Sequence, residues 1–372
     1  MFRTFRSMNR KRTPVLFLLV FSLVGLLAAC GKSSNDSASK SNGSTNGTSS
    51  GATKLAATTL NASGATFPQP FYEQVIAKFS EKNSGVTINY GGGGSGKGRT
   101  DLQTGVVDWA GSDGIVKPED VQKYKGPFLY FPTVAAPITV SFNLTGVDSL
   151  QLSPDTVAKI FLRQIKTWND KAIAADNPGA KLPATAITVA HRSDGSGTTE
   201  NFTKFLKAAA PTSFTLDAGS TVNWPADTQG GNGNNGVVQI VKGTNGAIGY
   251  VDFSDAKAAS LKFAKVKNKA GKFVDPTLEG ASAALAGITV NPDLTYNPLW
   301  ADGDAAYPIT APTWILAYTN QTDKAKGAAL KAFLQYIYND GQAMAAEINY
   351  AQLPASLKEK GLAQVDKLVI PA

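Results

Sequence analysis

Apolar positions recur along most of this chain at two distinct periods, and the periods predict its elements. Thr59 to Ala62 reads as a short strand, and Val86 to Tyr90 as a second. Between them Phe71, Val75 and Phe79 return every four residues, which predicts a helix over 68–83. Asp108 to Gly111 reads as a third strand, and Ile187 to Ala190 as a later one that leads into a helix starting near Thr199. Strands alternating with helices imply an α/β fold with a mostly parallel sheet and ligands at the carboxyl ends of its strands. Two long apolar runs, Phe131 to Val140 and Tyr307 to Leu316, are each interrupted by two prolines. They are expected to cross between two lobes as a two-stranded hinge. Lobe I is then discontinuous, 59–136 and 309–372, with its end supplied by helices over Lys324 to Tyr338 and Gly341 to Asn349, and lobe II covers 137–308.

The amino-terminal pattern is different. Arg3, Arg6, Arg10, Lys11 and Arg12 precede an apolar stretch from Val15 to Ala29, with no acid among them. That is a secretory leader over 1–29, too short for a comfortable bilayer crossing, which needs roughly 20 apolar residues. Leu27-Ala28-Ala29 before Cys30 resembles a bacterial lipobox, which implies cleavage before Cys30 and lipid on its sulfur and new amino terminus. Cys30 is the only cysteine, so no intramolecular disulfide can form. From residue 31 to about 58 the chain is rich in Ser, Asn, Gly, Thr and Ala, and cannot bury enough apolar area to offset the entropy of ordering it. It is expected to be a tether with a reach of roughly 5–6 Å times the square root of its length. The chain is therefore expected outside the cytoplasm, anchored by lipid to the periplasmic side or the outer face of the cell membrane.

The formal net charge of +8 changes little in this picture. Five of the positive charges lie in the leader, and Lys32, Lys40 and Lys54 against Asp36 lie in the tether, so the remainder is close to neutral. Nucleic acid is excluded as a partner on that ground. A single histidine, His191, and one cysteine committed to lipid leave no cluster for a transition metal, and no EF-hand loop is present. No metal and no cofactor are expected.

Gly91-Gly92-Gly93-Gly94-Ser95-Gly96-Lys97-Gly98 follows a strand and precedes a helix. It matches two nucleotide motifs formally and neither in substance. A G-x-G-x-x-G match is almost unavoidable in so glycine-dense a run, and the Walker-like match puts Gly98 where Ser or Thr must hold magnesium. What both motifs share is backbone N–H groups converging on an anion at a helix start. A second such loop, Gly230 to Gly236, reads as a turn and helix start with no ligand role.

His191-Arg192-Ser193-Asp194-Gly195-Ser196-Gly197-Thr198 packs a guanidinium, a carboxylate and several hydroxyls into one strand-to-helix turn. With Gly64-Ala65-Thr66-Phe67-Pro68, the Ser95 loop and Gly111-Ser112-Asp113, it resembles the phosphate-binding lipoprotein of the high-affinity bacterial phosphate ABC uptake system, in the periplasmic-binding-protein family. Gly246 to Tyr250, Tyr307 to Thr310 and Tyr350 to Pro354 fit in order, and the resemblance runs from about Leu60 to the end. It implies a two-lobed α/β fold of type II, each lobe a mostly parallel sheet flanked by helices. It also implies that Thr66 and Phe67 donate backbone or hydroxyl hydrogen bonds to inorganic phosphate, and that Ser95 adds its hydroxyl and amide from lobe I. Arg192, Ser196, Gly197 and Thr198 answer from lobe II, with Asp194 as the ion-pair partner of Arg192. Asp113 is the acceptor. Phosphate at neutral pH keeps a proton to donate and sulfate has none, so a buried carboxylate favours the first and repels the second.

The resemblance further implies a monomer that delivers its anion to ABC permease subunits and breaks no bond. The family commonly has a second basic residue where His191 stands, which leaves His191 as a bystander. Two other readings use the same residues: a hydrolase with Ser95 or Ser196 as nucleophile, and a receptor for another tetrahedral oxyanion or a phosphate sensor. A purely structural surface lipoprotein is a third.

Overall fold

A computed structural model describes residues 54–372; the leader, Cys30 and all but the end of the tether lie outside the described residues. Among the described residues, no helix is long and apolar enough to cross a membrane. Regular structure begins at Thr58, whose N–H meets Gly85 O at 3.0 Å.

Nine strands form the main sheet. They are β1 (Thr58–Gly64), β2 (Val86–Gly93), β3 (Trp109–Ser112), β4 (Phe128–Asn143), β6 (Thr188–Arg192), β7 (Gln229–Gly231), β8 (Ala247–Asp252), β9 (Lys262–Phe263) and β12 (Thr310–Tyr318). Three more, β5 (Gln151–Leu152), β10 (Lys265–Lys267) and β11 (Phe273–Val274), make a small separate sheet. The main order is β2-β1-β3-β12-β4-β8-β6-β7, with β9 on β4.

The predicted parallel pairing holds on the two wings, where β1 runs parallel to β2 and β3, and β6 parallel to β7 and β8. The centre is antiparallel: β12 pairs antiparallel with β3 and β4, and β4 with β8. The whole sheet is therefore mixed. The long strand β4 changes partner along its length, since Phe128 to Pro137 pairs with β12 and Ile138 to Asn143 with β8. Its prolines sit in this shared strand, and the register against β12 shifts between Pro312 and Trp314. A proline removes a ladder donor, so it fits where pairing is irregular.

The helices used below are α1 (Gln69–Lys82), α2 (Gly94–Thr104), α3 (Pro154–Phe161), α4 (Lys171–Asp176), α5 (Gly197–Ala209), α6 (Gly233–Gly243) and α7 (Phe253–Ala258). The four-residue spacing in α1 buries Phe71, Val75 and Phe79, with Tyr72 beside them. Tyr72 packs edge-on to Trp109, and Tyr90 stacks on it with centroids 5.2 Å apart. Full burial of such a side chain contributes about 1.5–3 kcal/mol, so this cluster holds β2 and β3 to α1. In α5, Ser196 caps the start by accepting from the Thr199 N–H, and Phe202, Phe205 and Leu206 face the interior. The carboxy-terminal helical segments follow Lys324–Tyr336, with a π-turn over Ile337–Gly341 where the sequence predicts a break.

Candidate functional site

Parallel strands end where backbone groups lack ladder partners, and here four such ends come together. The segment after β1 carries Thr66 and Phe67, and that after β2 starts α2 with Ser95. The segment after β3 begins with Asp113, and that after β6 carries Asp194 and leads into α5. Glycines let the loops touch. Gly64, at φ +138°, lies directly against the Gly111 backbone, and Gly96 N–H meets Gly195 O at 2.8 Å. A Cβ on Gly197 would overlap Ser95 Oγ and sit 2.7 Å from Asp113 Oδ2.

Most of the site residues predicted from the sequence are buried close together, while Thr66 and Asp194 are half-buried. Ser95, Ser196 and Thr198 have no exposed surface, Asp113 keeps 2 % and Arg192 4 %. Arg192 Nε donates to Asp194 Oδ1 at 2.7 Å and Nη2 to Asp194 Oδ2 at 2.5 Å, the paired fork expected from the sequence. Its Nη1 donates to Asn234 Oδ1 at 2.9 Å and to Thr198 Oγ1 at 3.3 Å. Of the five guanidinium N–H groups, these four bonds leave one on Nη2 for a ligand.

The hydroxyls share one arrangement, in which each accepts from an N–H donor. Thr66 Oγ1 accepts from Asn234 N at 3.3 Å, Ser95 Oγ from Asp113 N at 3.1 Å, Ser196 Oγ from Thr199 N at 3.0 Å, and Thr198 Oγ1 from Arg192. With an acceptor lone pair satisfied, the O–H groups of Thr66, Ser196 and Thr198 can point at a group rich in lone pairs, while that of Ser95 donates to Asp113 Oδ2 at 3.4 Å. Such a set suits an oxyanion.

Asp113 is the one carboxylate aimed at the other side of this cluster. Its Oδ1 accepts from Thr313 Oγ1 at 2.8 Å, and Oδ2 faces Ser95 Oγ at 3.4 Å. Burial pushes its carboxyl up to about 7, against the hydrogen bond from Thr313, the charge of Arg192, the Ser95 bond and the charge of Arg99. Asp194 differs. Burial pushes it upward too, but the fork and charge of Arg192 outweigh that and hold it below the usual carboxylate range.

The remaining matched segments anchor these groups from behind. Tyr350 donates its OH to Phe67 O at 2.5 Å and packs edge-on to the Phe67 ring. Tyr250 OH accepts from Arg192 N at 3.0 Å and meets Thr199 Oγ1 at 2.6 Å. Tyr307 OH donates to Ile138 O at 3.0 Å, on the strand where β4 changes partner. His191 Nδ1 lies 2.9 Å from Arg192 O, and its ring faces Trp224 at 5.8 Å between centroids.

Sequence reasoning missed three residues. Asn234 belongs to the glycine-rich loop given no role, yet it touches both Arg192 and Thr66. The signal was the Asn-rich helix start after a short strand, the same local form as the loops that carry Ser95 and Arg192. Arg99, four residues after Ser95 on α2, donates to Ser112 Oγ at 3.1 Å and Gly114 O at 3.2 Å and pairs with Glu200 at 3.6 Å. Asn201, four residues after Gly197, donates to Asp113 O at 2.7 Å. Helical spacing was the available signal for both. Beside Thr66 lies a cavity of about 480 Å³, bordered by Gln69, Glu73, Gly93, Asn234 and Asp255.

A sequence profile described as the PBP superfamily domain matches residues 44–341. A relative in Pasteurella multocida (strain Pm70), named phosphate-binding protein PstS, is 36 % identical over 313 residues, which cover 83 % of this chain and 90 % of the relative. Phosphate-binding protein PstS 2 of Mycobacterium tuberculosis (strain H37Rv) is 32 % identical over 377 residues, covering 96 % of this chain and 99 % of that one. Among solved structures, a high-affinity periplasmic phosphate-binding protein (PfluDING) bound with phosphate aligns with a TM-score of 0.69 at 22 % identity. That alignment covers 85 % of this chain and all of the other, a likeness of fold.

Proposed function

The chain belongs to the phosphate-binding protein PstS family within the PBP superfamily, and from that membership we propose that it captures inorganic phosphate outside the cytoplasm and delivers it to an ABC transporter. One observation carries the choice of ligand: a buried carboxyl, Asp113, lies among the Ser95 and Thr313 hydroxyls and within the charge of the Arg192 guanidinium. The donors answer the bare oxygens of the anion. Asp113 accepts from the proton that phosphate retains, and a fully deprotonated anion leaves that carboxylate unpaired and facing like charge.

The proposed ligands are Thr66, Phe67, Ser95, Asp113, Arg192, Ser196, Gly197 and Thr198, with Asp194 holding Arg192. The proposed mechanism is closure of lobe I, 59–136 and 309–372, onto lobe II, 137–308. The change of partner in β4 between Pro137 and Ile138 supports a hinge there. The anion favours the closed form through contacts that need both lobes, and the permease subunits take that form from a monomeric carrier. The relatives are named for binding phosphate. The one imidazole, turned to Arg192 O and Trp224, supports a site without serine chemistry. The proposed anchor is lipid on Cys30, which holds the chain at the envelope.

Uptake of radiolabelled phosphate by cells lacking this chain tests the proposal. Loss of uptake at low external phosphate, restored by the intact chain, is the expected result, and Cys30→Ser is expected to release the protein from the membrane fraction. Normal phosphate uptake with impaired sulfate or molybdate uptake points to another oxyanion and overturns the assignment.

A further inference from the structure

The loop Gly230 to Gly236 lies outside the expected ligand set, yet one of its side chains is wholly enclosed at the site. Asn234, in the first turn of α6, has no exposed surface. Its Oδ1 accepts from Arg192 Nη1 at 2.9 Å, its Nδ2 donates to Asp252 Oδ2 at 2.8 Å, and its own N–H donates to Thr66 Oγ1 at 3.3 Å. Its neighbour Gly233, at φ +64°, donates its N–H to Asp194 Oδ1 at 3.0 Å. Asn234 and Gly233 thus touch three of the groups on which anion capture is proposed to depend.

The chemistry fixes which way the amide faces. A guanidinium can only donate, so the atom toward Arg192 is the oxygen, and the NH₂ necessarily faces Asp252. Asp194 holds one edge of the guanidinium through Nε and Nη2; Asn234 holds the opposite edge through Nη1. Being neutral, it orients Arg192 without cancelling the positive charge that remains after pairing with Asp194, as a second carboxylate would. Through its backbone it also occupies an acceptor lone pair of Thr66, a residue in the segment after β1 on the other wing.

We infer that Asn234 is a positioning residue for anion capture, setting the free edge of Arg192 with its side-chain oxygen and turning the Thr66 hydroxyl toward the ligand with its main-chain N–H. This rests on the reading of Arg192 and Thr66 as ligands. Several charged groups surround Asn234. Arg192 lies at the end of β6 with Asp194 after it, Asp252 ends β8, Asp255 sits in α7, and Glu73 on α1 borders the same cavity. Burial raises both Asp252 and Asp255 above the usual carboxylate range. An aspartate placed at 234 therefore meets an acidic setting that favours its protonated form as pH falls. A protonated carboxyl copies the amide: its carbonyl accepts from Arg192 and its OH donates to Asp252.

The test is phosphate affinity of the full chain, freed of bound phosphate, for the wild type, Asn234→Asp and Asn234→Ala between pH 5 and pH 8. Loss of the acceptor for Arg192 in Asn234→Ala, and in Asn234→Asp a second carboxylate that cancels the Arg192 charge and cannot donate to Asp252, predict binding weaker by on the order of tenfold or more in both variants at pH 8. The deficit of Asn234→Asp relative to wild type at the same pH is predicted to shrink toward pH 5, and that of Asn234→Ala to stay constant. Asn234→Asp keeps the side-chain shape, so it tests the idea even if Asn234→Ala does not fold. Wild-type affinity in Asn234→Asp at pH 8, or a deficit that does not change with pH, overturns the inference while leaving the phosphate reading intact. Failure of the wild type to bind phosphate overturns the reading itself.

Discussion

Asn201 donates its side-chain N–H to the main-chain oxygen of Asp113 at 2.7 Å, joining α5 to the end of β3. The same amide group donates to Gly197 O at 2.9 Å, within its own helix. Asn201 is thus placed to report how closely the helix that starts at Gly197 sits against the acceptor carboxylate. Both partners are buried, so an unmatched Asp113 O costs free energy that a solvated carbonyl does not.

Asn201→Leu removes that bond while keeping the bulk of the side chain. The expected outcome is phosphate affinity lower by about fivefold to thirtyfold, the equivalent of about 1–2 kcal/mol. The loss is expected mainly in a faster dissociation rate, read by stopped-flow competition against a labelled anion.

Gly197 has no room for a side chain, because a Cβ there would overlap Ser95 Oγ and crowd Asp113. The obstruction lies between α5 and the groups after β2 and β3, not within α5 itself. Gly197→Ala is therefore expected to weaken phosphate binding by roughly a hundredfold, as overpacking of about 1–3 kcal/mol falls on the bound form and the amide it positions.

Asp113 makes stability depend on pH in the sense opposite to an ordinary paired carboxylate. Its folded value lies near 7 against an ordinary 3.8, so the folded state holds its proton more tightly than the unfolded chain. The contribution is fully present below about pH 4 and is lost as pH rises through about 7. In phosphate-free buffer, the thermal midpoint of Asp113→Asn relative to wild type is expected to rise from pH 4 to pH 8, because the variant lacks this loss. A constant difference across that range contradicts the raised titration of the buried Asp113.

The residues proposed to hold the anion stand out in the sequence because each sits in a short loop of unusual composition: glycines beside Ser95, Arg192 with Asp194, Asp113 after Gly111 and Ser112. The helix through Phe71, Val75 and Phe79 was legible from its period alone. The antiparallel centre was not, since it depends on β12 returning from almost two hundred residues downstream to pair with β4, and local pattern carries no register between distant runs. The proline-interrupted runs were recognised as partners, but not how β4 divides between β12 and β8. Asn234 and Arg99 escaped for a similar reason. Each acts through a neighbour in space, and nothing in an Asn-rich turn or a basic helix face says which buried group it meets.

The central claim is that Asp113 selects a protonated oxyanion, and calorimetric titration of the phosphate-free protein with phosphate and sulfate in parallel tests it most directly. The account predicts tight phosphate binding, sulfate weaker by a factor on the order of a thousand or more, and a narrowed gap in Asp113→Asn. Equal binding of the two anions by the wild type, or no binding of either, contradicts it.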